Sequence, residues 1–216
     1  VFPSNEAELS WISSQATEFN VPITVIGTGT NLLVLDGGIR GIVVSLARAF
    51  RAIETVPTPA SGKAGTTWIR CGAGVQKAEL LKWAIAGGLG GLEFSAGVPG
   101  TLGGGIFMNA GTKYGCYGDI LRELRLYDFG TGGRTVQRTD VHFGYREQTA
   151  VGTSLVVSAT FELPAGAVTD LAGNGNAAAL SLAKTYILAG DANRDRAVNL
   201  ADFTILAANF GRTNRT

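Results

Sequence analysis

At 216 residues, with 18 Lys and Arg against 17 Asp and Glu, the chain carries a formal charge of +1. So even a balance gives no signal for nucleic acid or a membrane surface, and neither is expected as a partner. A hydrophobic share of 45% suffices for one or two packed cores, and no run of about eighteen apolar residues is present to cross a bilayer. Residues 5–20 place Leu9, Ile12, Ala16 and Phe19 near helical spacing, with Glu6 and Glu8 at the start, which predicts an amphipathic helix. Residues 22–26 and 41–46 read as strands, for a β-α-β-β opening. Residues 76–87 read as a second helix with Ala78, Leu81 and Ile85 on one face and Gly87-Gly88 as its stop. Residues 67–71, 123–128 and 155–163 read as further strands around it, so the expected class is α+β.

Two glycine-bearing stretches carry the chemistry. The first, Val25-Ile26-Gly27-Thr28-Gly29-Thr30-Asn31-Leu32-Leu33-Val34, reads as a short strand breaking into a loop with hydroxyl and amide side chains beside its glycines. Successive N–H groups in such a loop make a concave anion site, and glycine lets a ligand approach the backbone closely. A diphosphate suits it, although no Gly-Lys-Ser/Thr follows and no third glycine completes G-x-G-x-x-G. Taken alone, a tight β-turn explains it equally well. The second stretch, residues 87–118, concentrates the excess in a chain of 31 glycines, roughly twice average usage. A flexible linker lacks large apolar residues, whereas Leu89, Leu92, Phe94, Val98, Leu102, Ile106, Phe107 and Met108 are interleaved here. The expectation is a packed loop and short helix pressed close to a flat or charged ligand.

Together these stretches resemble the UDP-N-acetylenolpyruvoylglucosamine reductase family. Gly27 to Val34 is similar to its G-x-G-S/T-N-L-L-V motif. Gly88-Leu89-Gly90-Gly91-Leu92-Glu93, Gly97-Val98-Pro99-Gly100-Thr101-Leu102-Gly103-Gly104 and Met108-Asn109-Ala110-Gly111 follow in the family's order. Phe143-Gly144-Tyr145-Arg146 resembles its Phe-x-Tyr-Arg motif. The resemblance implies an FAD-binding fold of the PCMH, vanillyl-alcohol-oxidase-like type, two α+β subdomains clasping FAD. It implies NADPH as reductant, a UDP-sugar as substrate, and a place in peptidoglycan precursor synthesis. By the same match FAD contacts fall to Gly27, Thr28, Gly29, Thr30, Asn31, Leu32, Val98, Pro99, Gly100, Thr101, Gly103, Gly104, Asn109 and Gly111. Arg146 would stabilise the enolate developing at the substrate carboxylate, since a guanidinium stays charged and forks two donors; Tyr145 would orient substrate. On its own, Arg146 reads as half of a surface ion pair.

The match ends near residue 163. The family's Gly-Ser-x-Phe-x-Asn-Pro segment, whose serine protonates the product, and its late glutamate have no counterpart here, and the start at Val1 is abrupt. The expected activity is therefore impaired, with a non-catalytic flavin module as the alternative. Expected boundaries are a truncated first FAD subdomain at 1–48, a second at 49–163, a linker at 164–189, and a separate tail at 190–216.

In that tail Asp191, Asn193, Asp195, Asn199 and Asp202, with the Ala197 carbonyl, fall at positions 1, 3, 5, 9, 12 and 7 of a loop leading to a helix-like repeat of Leu200, Phe203, Leu206 and Phe210. Alternate oxygen donors on a coiled loop suit Ca²⁺. The segment resembles one type I dockerin repeat, with Arg196 where the turn prefers glycine. One repeat is not expected to dock a cohesin, and an N-capped helix after an Asp/Asn turn is the simpler alternative. A reductase implies the cytoplasm and a dockerin-like tail implies secretion, which leaves a secreted calcium-binding attachment protein with a vestigial flavin half as a further reading. No signal peptide is read in residues 1–20. Cys71 and Cys116 read as buried thiols, and the lone His142 as a hydrogen-bonding residue rather than a metal ligand.

Overall fold

The computed structural model describes residues 1–165. The first helix, α1 (Glu6–Glu18), starts where Asn5 accepts a hydrogen bond from the Glu8 N–H on its side chain at 2.9 Å. It buries Leu9, Ile12, Ser13 and Ala16, while Phe19, expected on that stripe, stands outside. β1 (Ile23–Val25) and β2 (Ile42–Val44) pair in parallel as a separate two-stranded sheet. The opening is therefore α-β-β rather than β-α-β-β. Val1 lies along β2, its N–H donating to the Val43 carbonyl and its carbonyl accepting from Ser45 N–H.

Beyond it, β3 (Ile53–Val56) and β4 (Thr66–Gly72) form an antiparallel pair, followed by α2 (Lys77–Ala86). A short 3₁₀ turn at Glu93–Ser95 leads to α3 (Leu102–Phe107), to the two-residue ladder of β5 (Gly111–Thr112) with β6 (Gly115–Cys116), and to one helical turn, α4 (Tyr117–Ile120). β7 (Leu121–Asp128) and β8 (Gly132–Gln137) pair next, then the ladder of β9 (Phe143–Gly144) with β10 (Glu147–Gln148), and finally β11 (Leu155–Pro164). The main sheet runs β3-β4-β11-β7-β8, antiparallel throughout.

β11, the last strand among the described residues, occupies the centre of that sheet. Eight of its ten residues are buried, as expected for a strand covered on both faces. Its Glu162 is buried too, with Arg122 Nε 2.6 Å away and Lys63 N–H and Thr66 Oγ1 donating to the other oxygen. Every acceptor is thereby engaged, which offsets the desolvation of a buried carboxylate. α1 lies near the β7–β8 end, where Arg125 makes a two-pronged contact to Glu6 at 3.0 and 2.8 Å and Gly130 N–H donates to Ser13 Oγ.

The sequence reading of α2 needs correction. Its buried residues are Lys77, Leu80 and Ala84, one position before the expected stripe. The Lys77 N–H donates to the Gly100 carbonyl at 3.0 Å, which ties that end of the helix to the glycine-rich segment. No helix among the described residues is long and apolar enough to cross a membrane. The proposed calcium loop and most of the expected linker lie outside the described residues.

Candidate cofactor site

β1 ends at Val25, and Ile26 N–H still reaches the Val44 carbonyl at 2.9 Å before the chain leaves the small sheet. Thr28 to Leu32 are exposed, and Gly29 takes a φ of 76° that a side chain resists. The second loop is tied down along the start of α2. Gly100 O accepts from Lys77 N–H, Leu102 N–H donates to Val75 O at 2.8 Å, and Gly103 N–H donates to Ala73 O at 2.9 Å. Thr101 is buried and caps α3, its hydroxyl accepting from Gly104 N–H at 3.4 Å.

The two loops touch. A β-carbon on Gly27 would stand 2.6 Å from Thr101 Oγ1, and one on Gly100 would stand 3.0 Å from Thr30 Oγ1. Residues some seventy positions apart thus form one seam with glycine on both sides, which lets two backbones and a ligand share a narrow space. Under the seam runs Lys77, only 5% exposed. Its Cδ passes 3.3 Å from the β-carbon position of Gly105, and its Cε 3.4 Å from that of Gly100. Burial lowers its pKa from the usual lysine value.

A second cluster forms around Asn109, which has a left-handed φ of 40°. Its buried amide is used on both sides, Nδ2 donating to Gly144 O at 2.9 Å and Oδ1 accepting from Gly118 N–H at 3.1 Å. Tyr145 and Arg146 are the two turn residues between β9 and β10, with Tyr145 87% exposed and Arg146 at a φ of 58°. A non-glycine residue held there is strained, and such strain concentrates at functional positions. The Arg146 guanidinium stands 5.4 Å from the Tyr145 ring centroid. Arg138 braces the same hairpin, its Nε donating to Gly118 O at 2.8 Å and its Nη1 to Val141 O at 2.9 Å, with the guanidinium over Phe143.

Gly27, Thr30, Gly100 and Thr101 are brought together directly. Gly103 packs on Ala73, Val98 is half-buried, Pro99, Gly104 and Asn31 are exposed, and Gly111 lies apart against Gly115 and Cys116. Among the described residues no hydrogen bond or ion pair joins Tyr145 or Arg146 to the first loop; their link to the glycine-rich segment runs through Asn109. Lys77 and Arg138 were missed in the sequence: a lone basic residue on a helix start or before a loop is indistinguishable from surface charge. His142 is exposed, and it is its backbone that bonds to Thr149, N–H donating to Thr149 Oγ1 at 3.0 Å and the carbonyl accepting from Thr149 N–H at 3.1 Å. Both cysteines are free, Cys71 buried and Cys116 half-buried. A hollow of about 480 Å³ between α1 and the β7–β8 turn shares no residue with these loops.

An α+β domain whose two glycine loops meet in one seam has the architecture of a dinucleotide-binding flavoprotein. The seam suits FAD, because Gly29 and Gly97 in the same two loops leave open space at their β-carbon positions, where a diphosphate can approach the backbone. The chain belongs to the FAD binding domain family, which matches residues 1–137. It is 37% identical over 161 residues to the UDP-N-acetylenolpyruvoylglucosamine reductase of Moorella thermoacetica, covering 74% of this chain and 50% of that protein. With the reductase of Lactococcus lactis subsp. cremoris the identity is 36% over 171 residues, covering 79% and 54%. The chain spans about half the length of the curated relatives it matches. Among solved structures, the UDP-N-acetylenolpyruvylglucosamine reductase of Thermus caldophilus superposes with a TM-score of 0.62 at 26% identity, covering 99% of this chain and 63% of that one. A solvent-stable cholesterol oxidase shares the fold with a TM-score of 0.59 at 23% identity, over 76% and 34%.

Proposed function

We propose that this chain is the FAD-binding part of an NADPH-dependent reductase that converts UDP-N-acetylenolpyruvoylglucosamine to UDP-N-acetylmuramate. The contact of Gly27 with Thr101 and of Gly100 with Thr30 carries the reading, and the relatives' names supply the substrate. The first loop and the 98–104 loop would hold the cofactor's diphosphate against backbone N–H groups. Bound FAD would supply acceptance of hydride from NADPH and its delivery to the enolpyruvyl carbon–carbon double bond. Arg146 would place a permanent positive charge beside the substrate carboxylate as negative charge develops on it. Tyr145 would orient the substrate, and Asn109 and Arg138 would position the hairpin that presents both.

Absorbance of the purified chain after incubation with FAD and desalting tests the first half of this reading: a retained flavin band is expected, and a colourless protein sinks it. NADPH oxidation with and without the enolpyruvyl substrate tests the second. The solvent exposure of Tyr145 favours one alternative, a module that holds FAD without turnover; that alternative gives a flavin band and no substrate-dependent oxidation. In the tail, the oxygen spacing from Asp191 to Asp202 supports a Ca²⁺ site, for which calorimetric titration with Ca²⁺ should show one binding event.

A further inference from the structure

Lys77 is an anomaly that the FAD reading does not by itself require. Lysine is almost never fully buried without a partner, yet Lys77 is 5% exposed and its Nζ has neither a hydrogen bond nor an ion pair among the described residues. Trp68 Nε1 and the Tyr117 hydroxyl are the side-chain polar atoms sealed away without a partner; Lys77 Nζ is not sealed in that way. It lies 3.7 Å from the β-carbon position of Gly100, the same point that has Thr30 Oγ1 at 3.0 Å. The ammonium therefore sits at the junction of the two glycine loops, on the first residue of the ten-residue helix α2, whose N-cap Gln76 makes no side-chain capping bond. The helix terminus adds partial positive charge there. A cation so placed has lost part of its hydration, and an anion at the seam would pair with it.

Resting on the FAD reading, the geometry points to Lys77 as the cation that pairs with the cofactor's diphosphate, the negative part of a molecule whose flavin and adenine ends are uncharged. Lys77 is thus a binding and selectivity residue, favouring the dinucleotide over riboflavin, which lacks phosphate. Neither glycine loop contains a Lys or Arg between residues 27 and 34 or 97 and 104, so no other basic side chain on the loops supplies that charge.

The test uses the full chain, titrated with FAD and with riboflavin by flavin fluorescence, and the K77M variant, which keeps the stem's length and removes the charge. FAD affinity should fall about tenfold or more, the size of one charge-assisted hydrogen bond, while riboflavin affinity stays within about twofold. The melting temperature without ligand should hold or rise in K77M, since the buried stem is kept and an ammonium without a protein partner is gone, and the FAD-induced rise should shrink. K77R should retain more FAD affinity than K77M. Equal FAD affinity in wild type and K77M overturns the assignment while leaving the FAD reading intact, and so does an equal loss for FAD and riboflavin, which marks a packing role. A wild-type chain that binds no FAD overturns both.

Discussion

Asn109 and Gly144 are joined by a side-chain-to-backbone hydrogen bond of 2.9 Å across a sequence separation of 35 residues. Through it a buried amide at the end of α3 sets where the Tyr145–Arg146 turn stands. Replacing Asn109 with Ala removes that bond and the one to Gly118, leaves two polar groups unpaired, and puts a less tolerant residue at a φ of 40°. A loss of about 2 kcal/mol or more in urea unfolding is expected. Asn109→Asp keeps the acceptor for Gly118 and loses the donor to Gly144, so it should fall between the two. An alanine variant as stable as wild type would show that the bridge carries no weight.

Gly27→Ala tests the seam itself. The added methyl meets Thr101 Oγ1 at 2.6 Å, and Thr101, buried and serving as the cap of α3, moves only by giving up a bond worth about 1 kcal/mol. The chain should fold with a modest drop in melting temperature and lose FAD affinity about tenfold or more. Unaltered flavin retention would place the cofactor elsewhere.

For Arg146→Ala the expected outcome is a split. Substrate-dependent NADPH oxidation should drop about a hundredfold or more, as when one stabiliser of a developing oxyanion is removed, while the flavin band persists. Turnover at the wild-type rate would remove Arg146 from the chemistry.

Acid should weaken the protein through Glu162. Burial raises this carboxyl's pKa, but donors from Lys63, Thr66 and Arg122 outweigh it and bring the value to about 2, against 4.5 for a free glutamate. A depressed pKa in the folded state contributes stability that is whole above 4.5 and is lost as pH falls from there through about 2. Chemical denaturation between pH 6 and 2.5 should show this slope, and Glu162→Gln should flatten it at the cost of lower stability near neutrality. The same slope in both proteins would refute the assignment.

Burial, aided by the charge of Glu79, pushes the Cys71 thiol up to about 12. At pH 8 almost none of it is thiolate, so Cys71 should resist iodoacetamide until the chain unfolds. Mass-spectrometric mapping that finds it alkylated in the native protein would contradict its placement.

Much of this was legible in the sequence. α1 announces itself through two early glutamates and the Leu9–Ile12–Ala16 spacing, and the glycine loops through the ordered motifs they share with the family. β3 and β8 escaped because each lies at an edge of the main sheet; of the six residues in β8 only Val136 is buried, so no apolar alternation marks it. The contact of Gly27 with Thr101 is a tertiary fact with no local trace. Lys77 was missed for a related reason: its stem packs beside Gly100 and Gly105, which lie more than twenty residues away in the chain.

The central position of β11 has a consequence for how the molecule comes into being. On the ribosome, residues 53–72 and 121–137 emerge as two separate hairpins, and neither can pair with the other until residues 155–164 arrive to lie between them. Up to that point β4 and β7 each present an open row of backbone donors and acceptors, the kind of edge that recruits strands from other chains. Synthesis halted before residue 155 should therefore yield an aggregating polypeptide, whereas emergence of residues 155–164 lets β11 close the sheet in one step.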